Sequence, residues 1–430
     1  MQPHVGLVSS VAFLPVQIGE PGFEVASADL GDLRSIFPHI ISGRNTEERD
    51  RPVGGAAADI DSELAWVRAV AEAAERYATI AFSADDSIVA SAKQLGSSAI
   101  DLSRIPRCSP REYSDPKCPL RPADLNAPIR WIRGYSLVNE RETFVPVVMT
   151  HLHVPPTAAE RFWLPISTGV AAHTDLAAAI LAAACEVIER DALALTWLLR
   201  LPLPQIVLPS AAPEPIAQLQ RRLEEGRQQC YLFDATTDIG VPTVLLVQLL
   251  TGHPTMDVFV TCATAVDSVV AGSKAIKEAA TSYRVMSKER PIPESVFDFC
   301  DLTNGADYYG RGGHRSDFDF LLKSTQTTSL EAMNSARPIG AHIRSADALK
   351  QLIAYFRQRE MELVVVDLTT DELRDVGLWV TRVVIPDLVP ISFVYRARYL
   401  GTPRIYEHAA RFGLVDLSED KINPGPMPFA

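Results

Sequence analysis

The pattern Glu-x-x-Glu-Arg occurs twice, as Glu72-Ala-Ala-Glu75-Arg76 and as Glu186-Val-Ile-Glu189-Arg190, each inside a run of alanines and aliphatic residues. At helical pitch the positions i, i+3 and i+4 lie on one face, so each copy places two acids and a base on a single stripe. One such pattern on a solvated helix is an ordinary surface ion pair. Here the surroundings differ: Ala182, Ala183, Ala184, Cys185, Val187 and Ile188 flank Glu186, and a helix apolar on all sides is buried. Buried carboxylates and guanidinium groups need a partner or a ligand. A third alanine-rich helix, predicted over Asp267 to Lys288, adds Lys274 and Glu278, one turn apart, and Arg284. Carboxylates hold magnesium and arginine holds phosphate, so a metal-bound polyphosphate is the ligand that suits this charge pattern.

The rest of the composition narrows the alternatives. The 430 residues are 47% hydrophobic, enough for a substantial core. A net charge of −12 opposes nonspecific nucleic-acid binding and attraction to anionic lipid. The apolar run Leu176 to Leu199 has nearly the length of a membrane span, but Glu186, Glu189, Arg190 and Asp191 lie in its middle. Each would cost about 2.5–3.5 kcal/mol at a bilayer centre, so a buried helix of a soluble protein is expected. The six cysteines form no Cys-x-x-Cys pair, which disfavours a zinc site and fits a reducing compartment. With no signal-peptide pattern at the N-terminus, the expected location is the cytoplasm.

Helix and strand patterns alternate. Helices are predicted over Leu64 to Ala78 (capped by Asp61 or Ser62), from after His173 (capped by Thr174 or Asp175), over Ile216 to Gln229, and over Ala346 to Arg359. Strands are predicted over Thr143 to Thr150, Cys230 to Asp234, Thr243 to Leu249, Asp257 to Cys262, Leu363 to Asp367 and Trp379 to Ile385. The mixture predicts an α/β (α+β) fold. Ser42 to Ala57, Ser103 to Ala127 and Thr303 to Asp317 read as loops. The Pro-rich run Leu201 to Pro215 is the best internal boundary, but strands resume soon after it, so residues 1–430 are expected to form one unit.

Other constellations are weaker. His151 and His153 would share a strand face but lack a third metal ligand nearby. Cys185 and His173 lie on one helical region, roughly 18 Å apart at 1.5 Å per residue, too far for a nucleophile and its base. No Gly-x-x-x-x-Gly-Lys-Ser/Thr phosphate loop is present. The ending Pro424-Gly-Pro426-Met-Pro428-Phe-Ala430 favours a stiff extended segment, either a frayed terminus or a tail that tucks its carboxylate into a site.

Several stretches together resemble the YcaO family of ATP-dependent enzymes that modify peptide backbones. They are Ser167-Thr-Gly-Val-Ala-Ala-His-Thr-Asp leading into Glu186-x-x-Glu189-Arg190-Asp191, Phe233 to Pro242, the helix Lys274 to Tyr283, the opening Gly6-Leu-Val-Ser-Ser, and the Pro-x-Pro-x-Pro ending. The resemblance extends to the cyclodehydratase subunit of microcin-type thiazole/oxazole synthetases. It implies a single YcaO domain with a Pro-rich tail over 423–430, ATP and Mg2+ as cofactors, and magnesium ligation by Glu72, Glu75, Glu186 and Glu189. Nucleotide contacts are implied for Glu72, Arg76, Arg190, Lys274, Glu278 and Arg284, and a catalytic tail at Pro428 and Ala430. The implied reaction converts Cys, Ser or Thr of a ribosomally made precursor peptide into thiazoline or oxazoline. The implied partners are a ubiquitin-activating-enzyme-like leader-binding protein and an FMN-dependent azoline dehydrogenase in a hetero-oligomer. The sequence departs from the family pattern at Arg68 (usually Ser), at Ala57 and Ala58 (usually Gly-Lys-Gly), and at Thr174, Ala178 and Ala182 (usually Asn, Glu and Gln). Thioamide or macroamidine formation, and a noncatalytic scaffold subunit, are the competing expectations.

Overall fold

A computed structural model describes residues 6–16, 20–37, 39–40, 53–208, 214–225, 228–251, 253, 256–286, 290–335 and 339–429. Three sheets organise it. The first is antiparallel β1 (Ser10–Leu14), β2 (Glu24–Asp29) and β3 (Gly54–Asp59), in that order. The second has the order β4-β5-β13-β14-β7, with β6 also paired to β5. Its strands are β4 (Ser87–Ser91), β5 (Pro128–Ser136), β6 (Arg141–Pro146), β7 (Val170–His173), β13 (Val364–Asp367) and β14 (Trp379–Val384). The third has the order β11-β10-β9-β8-β12. It contains β8 (Gln205–Ile206), β9 (Gln229–Asp234), β10 (Thr243–Leu249), β11 (Val258–Thr264) and β12 (Thr327–Thr328).

Helices of nine or more residues are numbered α1 (Ser62–Ile80), α2 (Leu176–Leu199), α3 (Glu214–Glu225), α4 (Ser268–Met286), α5 (Ser345–Gln358) and α6 (Pro403–Arg411). Three of them hold the sheets together. α1 packs on β2 and β3, α2 on β7, β14 and β11, and α4 on β10 and β11. Every residue of β10 and β11 is buried, because helices cover both faces of that part of the sheet. Their largely apolar sequences, without polar residues at every second position, reflect this; a half-solvated strand would alternate. α1 begins where Asp61 accepts the N–H groups of Glu63 and Leu64 at 2.8 and 3.2 Å. α2 begins where Asp175 accepts the N–H of Ala178 at 2.8 Å. These side chains satisfy amide groups that the first helical turn leaves orphaned. α2 ends at Arg200, in the left-handed region with φ 48°. No helix among the described residues is long and apolar enough to cross a membrane.

Several sequence expectations shift. The strand expected over Thr143 to Thr150 ends at Pro146, which has no N–H for the ladder, and a 3-10 turn over Val147–Met149 follows. The helix expected to reach Gln229 is described only to Glu225, and Gln229 opens β9. The expected loop Ser42 to Ala57 contains most of β3, and Thr303 to Asp317 contains a short helix at Asn304–Gly310. The Pro-rich run carries β8, which pairs with β9 and β12. His151 and His153 do not lie on a strand. His151 is a core residue against Phe82, with Nδ1 2.9 Å from Thr150 Oγ1. Burial, assisted by the Arg382 charge, pulls its pKa down to about 3.

Candidate active site

The same three helices line one cleft of about 550 Å³. α1 contributes Arg68, Glu72, Glu75 and Arg76, α2 contributes Glu186 and Arg190, and α4 contributes Lys274, Lys277 and Glu278. These groups, distant in sequence, thus face a common space, whereas Glu189, expected as a metal ligand, is buried behind it and is not part of the lining.

Each motif glutamate is moored to a strand by one carboxylate oxygen. Glu72 Oε2 accepts the N–H of Ala56 on β3 at 2.9 Å. Glu75 Oε1 accepts the N–H of Ala172 on β7 at 2.8 Å. Glu186 Oε2 accepts the N–H of Gly169, just before β7, at 2.8 Å. Glu189 Oε2 accepts the N–H of Thr264 at the end of β11 at 3.0 Å. The arginine of each motif closes on its own acids. Arg76 Nη2 lies 3.0 Å from Glu72 Oε1, and Arg190 lies 3.2 Å from Glu186 Oε1 and 3.1 Å from Glu189 Oε1. Glycines permit this close docking. A Cβ on Gly55 would sit 2.4 Å from the carbonyl oxygen of Ala69 on α1. One on Gly169, at φ +85°, would meet Val187 of α2 at 2.7 Å.

Three of the acids, Glu75, Glu189 and Glu278, are shifted, chiefly by burial. Burial, with the Glu72 charge, pushes Glu75 up to about 8, against the pull of the Ala172 N–H and of Arg76. Burial also raises Glu189 and Glu278, against the pull of Arg190 and Lys274 on both. Burial would lower Lys274, but Glu278 and Glu189 outweigh it and hold the ammonium charged. A cation entering the cleft would favour the ionised carboxylates against this burial cost.

Among the described residues no three His, Cys, Asp or Glu side chains converge into a group that could hold a metal ion alone. The four motif glutamates are therefore not a single protein cage. Magnesium typically takes one or two carboxylates and completes its shell with substrate phosphates and water. Crowded hard oxygen donors, an adjoining row of cations and an open cleft fit an ion that arrives with a polyphosphate.

Other predicted positions fall differently. Phe429 lines the cleft, whereas Pro428 is buried beside it. The side chain of Arg284 and all of Ala430 lie outside the described residues. The tail is docked. Asn423 N and Nδ2 donate to the carbonyls of Leu198 and Trp197, each at 2.9 Å, and Tyr309 Oη donates to Pro426 O at 3.2 Å. The Phe429 ring lies 4.3 Å from the Arg190 guanidinium carbon. Sequence reasoning missed Lys277. Its Nζ lies 2.7 Å from Asp59 Oδ2, which Arg68 also meets at 2.6 Å. A lone acid at the end of a small-residue strand gave no sign of two distant cations.

The family model of YcaO cyclodehydratases, described as ATP- and Mg2+-binding, matches residues 58–389. The chain is a member of the YcaO family. Its cofactors are accordingly ATP and Mg2+. A protein of Rhizobium leguminosarum bv. trifolii, described as uncharacterised in the tfuA 3′ region, is 33% identical over 197 residues, 44% of this chain and 43% of its own length. A solved heterocyclase in complex with substrate and cofactor superimposes with a TM-score of 0.77 at 21% identity, covering 100% of this chain and 56% of its own. The E. coli microcin synthetase McbBCD complex gives 0.59 at 15% identity, covering 88% of each chain. These structural likenesses establish the YcaO fold. The matches span about half the length of these two relatives, 43% of the Rhizobium protein and 56% of the heterocyclase chain.

Proposed function

We propose that this YcaO protein is an ATP-dependent cyclodehydratase acting on a ribosomally made precursor peptide. The observation that carries the reading is the single cleft onto which α1, α2 and α4 all turn their acids and bases. In the proposed reaction a Cys thiol, or a Ser or Thr hydroxyl, attacks the preceding backbone carbonyl. The resulting amide-derived oxygen is a poor leaving group. Bound ATP and Mg2+ supply the phosphoryl group that turns loss of water into loss of phosphate, with ADP as the other product and a thiazoline or oxazoline in the peptide.

The protein's part is positioning and electrostatics, which dominate phosphoryl transfer. Glu72, Glu75, Glu186 and Glu189 are assigned to magnesium. Arg76, Arg190 and Lys274 are assigned to phosphate oxygens, and Glu278 to the nucleotide. Phe429 and the docked tail would wall the peptide side and hold Arg190 in register. We read residues 1–430 as one YcaO unit working in the cytoplasm. A leader-binding partner of the ubiquitin-activating-enzyme type would deliver the precursor, and an FMN-dependent dehydrogenase would oxidise the product. The presence of the McbBCD complex among the structural neighbours supports a hetero-oligomer. Incubating the protein with precursor, partner, ATP and Mg2+ should remove the mass of one water per ring formed. A thioamide-forming enzyme would instead exchange oxygen for sulfur, and a scaffold would leave the peptide unchanged.

Two further outcomes follow from the geometry. In the metal-free protein Glu75 stays protonated up to about pH 8, whereas the unfolded chain releases that proton near 4.5. Between those values the native state binds more protons than the unfolded state, so stability is highest below the window and falls as pH rises through it. Binding Mg2+ requires the carboxylate. Calorimetry of Mg2+–ATP binding near pH 7, in buffers of different ionisation enthalpy, should therefore detect proton release, reduced in Glu75→Gln. Second, a cation–ring contact contributes about 0.5–2 kcal/mol. Phe429→Ala should thus lower kcat for peptide-dependent ATP turnover by up to about thirtyfold, and, because Phe429 is also buried in the core, it should lower the thermal midpoint as well.

A further inference from the structure

The nucleotide cleft leaves part of the buried charge beside it unexplained. A second recess, of about 30 Å³, adjoins it and shares Ile166, Thr168 and Arg190 with its wall. Trp163 and Arg382 also line this recess, and the remaining wall is apolar. Four buried side-chain nitrogens here have no hydrogen-bond partner: Trp163 Nε1, Arg190 Nε, Arg190 Nη1 and Arg382 Nε. They are a third of the twelve such side-chain atoms among the described residues, and all four are donors. Arg190 Nη1 is close to Glu189 but not aligned for a hydrogen bond.

Arg382 is the most constrained of the group. It lies on β14, is 3% exposed, and donates from Nη1 to the carbonyl of Ile166 at 2.8 Å. No carboxylate is ion-paired with it among the described residues. A buried guanidinium without a counter-charge is costly. Burial lowers its pKa to about 10, partly offset by the Glu186 charge, so it is still a cation at neutral pH. About 10–15 Å³ of such space holds one water-sized particle, and this recess is larger. A water placed there would bring two hydrogens of its own and find no orphaned side-chain acceptor. A halide accepts only and orthophosphate mainly accepts, as this donor set requires.

We infer that this recess is a small-anion site, holding an inorganic anion between Arg382 and the rear of Arg190. Its role would be to position Arg190, whose Nη2 lies 3.2 Å from Glu186 and whose guanidinium faces Phe429. The occupant could come from the medium as halide or from the cleft as released orthophosphate, and the two sources are separable. Crystals of the full chain soaked in bromide should show an anomalous peak within hydrogen-bonding distance of Arg190 and Arg382. Adding orthophosphate alone should displace bromide if phosphate is the natural occupant and leave it in place if halide is. In solution, replacing gluconate by chloride should raise the thermal midpoint of the wild type by a few degrees and saturate, and Arg382→Met should abolish the response. Water density and no bromide in the recess would overturn the inference. So would bromide at soaking concentration with no saturable effect in solution, or a chloride response that survives in Arg382→Met. If that variant fails to fold, bromide occupancy and chloride saturation in the wild type decide alone.

Discussion

Glu186→Gln is expected to reduce Mg2+-dependent ATP turnover, measured with precursor present, by about 10²–10³-fold, a loss on the order of 2.7–4 kcal/mol for an electrostatic group at the reacting centre. The side chain has two tasks. Its Oε2 accepts the N–H of Gly169 at 2.8 Å, and its Oε1 faces Arg190 at 3.2 Å. Glutamine keeps a carbonyl oxygen for the first task, so the docking of α2 against β7 survives and the thermal midpoint should barely move. The charge is lost, and with it the ligand proposed for the cation and the counter-charge that restrains Arg190. A scaffold subunit would respond differently: the substitution would change neither a background turnover rate nor the fold.

Asp191→Ala is expected to give the opposite profile, a large loss of stability from a residue that does not line the cleft. Asp191 is fully buried. It meets Arg404 through both oxygens, at 2.7 and 2.6 Å, and accepts the N–H of Val389 at 2.9 Å. Arg404 also reaches Asp238 at 2.9 Å. Removing one partner of a buried pair leaves the other charge uncompensated, at a cost of about 3–5 kcal/mol. Asp238 would recover part of this, so the lower end is expected, read as a shift in denaturant midpoint at unchanged slope. Residues 189, 190 and 191 thus divide their work along one helical turn. Arg190 lines the cleft and its neighbouring recess, Glu189 holds Arg190 and the end of β11, and Asp191 ties α2 to α6.

The elements that carry the cleft were legible because their signals are local. The alanine-rich helices, their Asp61 and Asp175 caps and the i, i+3, i+4 spacing of the acids depend on neighbouring residues only, and so does the α/β class. What lay hidden depends on tertiary contact. β3 reads as loop because Gly54-Gly55-Ala56-Ala57-Ala58 has poor strand propensity. Those small residues are required where α1 comes so close that any side chain on Gly55 would collide with it. The Thr143 to Thr150 run looked like one strand because a short apolar run cannot distinguish a ladder from a buried turn. Lys277 and Arg68 meet on Asp59 only after β3, α1 and α4 have packed. Arg382, in the apolar run Trp379-Val-Thr-Arg-Val-Val384, gains its significance only from the residues that the fold leaves it facing.

The central claim is that the carboxylates of α1 and α2 hold a divalent ion which enters with a triphosphate. Crystals grown with Mn2+ and a non-hydrolysable ATP analogue test it most directly, because manganese scatters anomalously and substitutes for magnesium. The account predicts manganese in the cleft at about 2.0–2.2 Å from oxygens of Glu72, Glu75, Glu186 or Glu189, with phosphate oxygens completing the shell and Arg76, Arg190 or Lys274 against the phosphates. Manganese and nucleotide bound elsewhere, with the cleft glutamates still closed on Arg76 and Arg190, would contradict it.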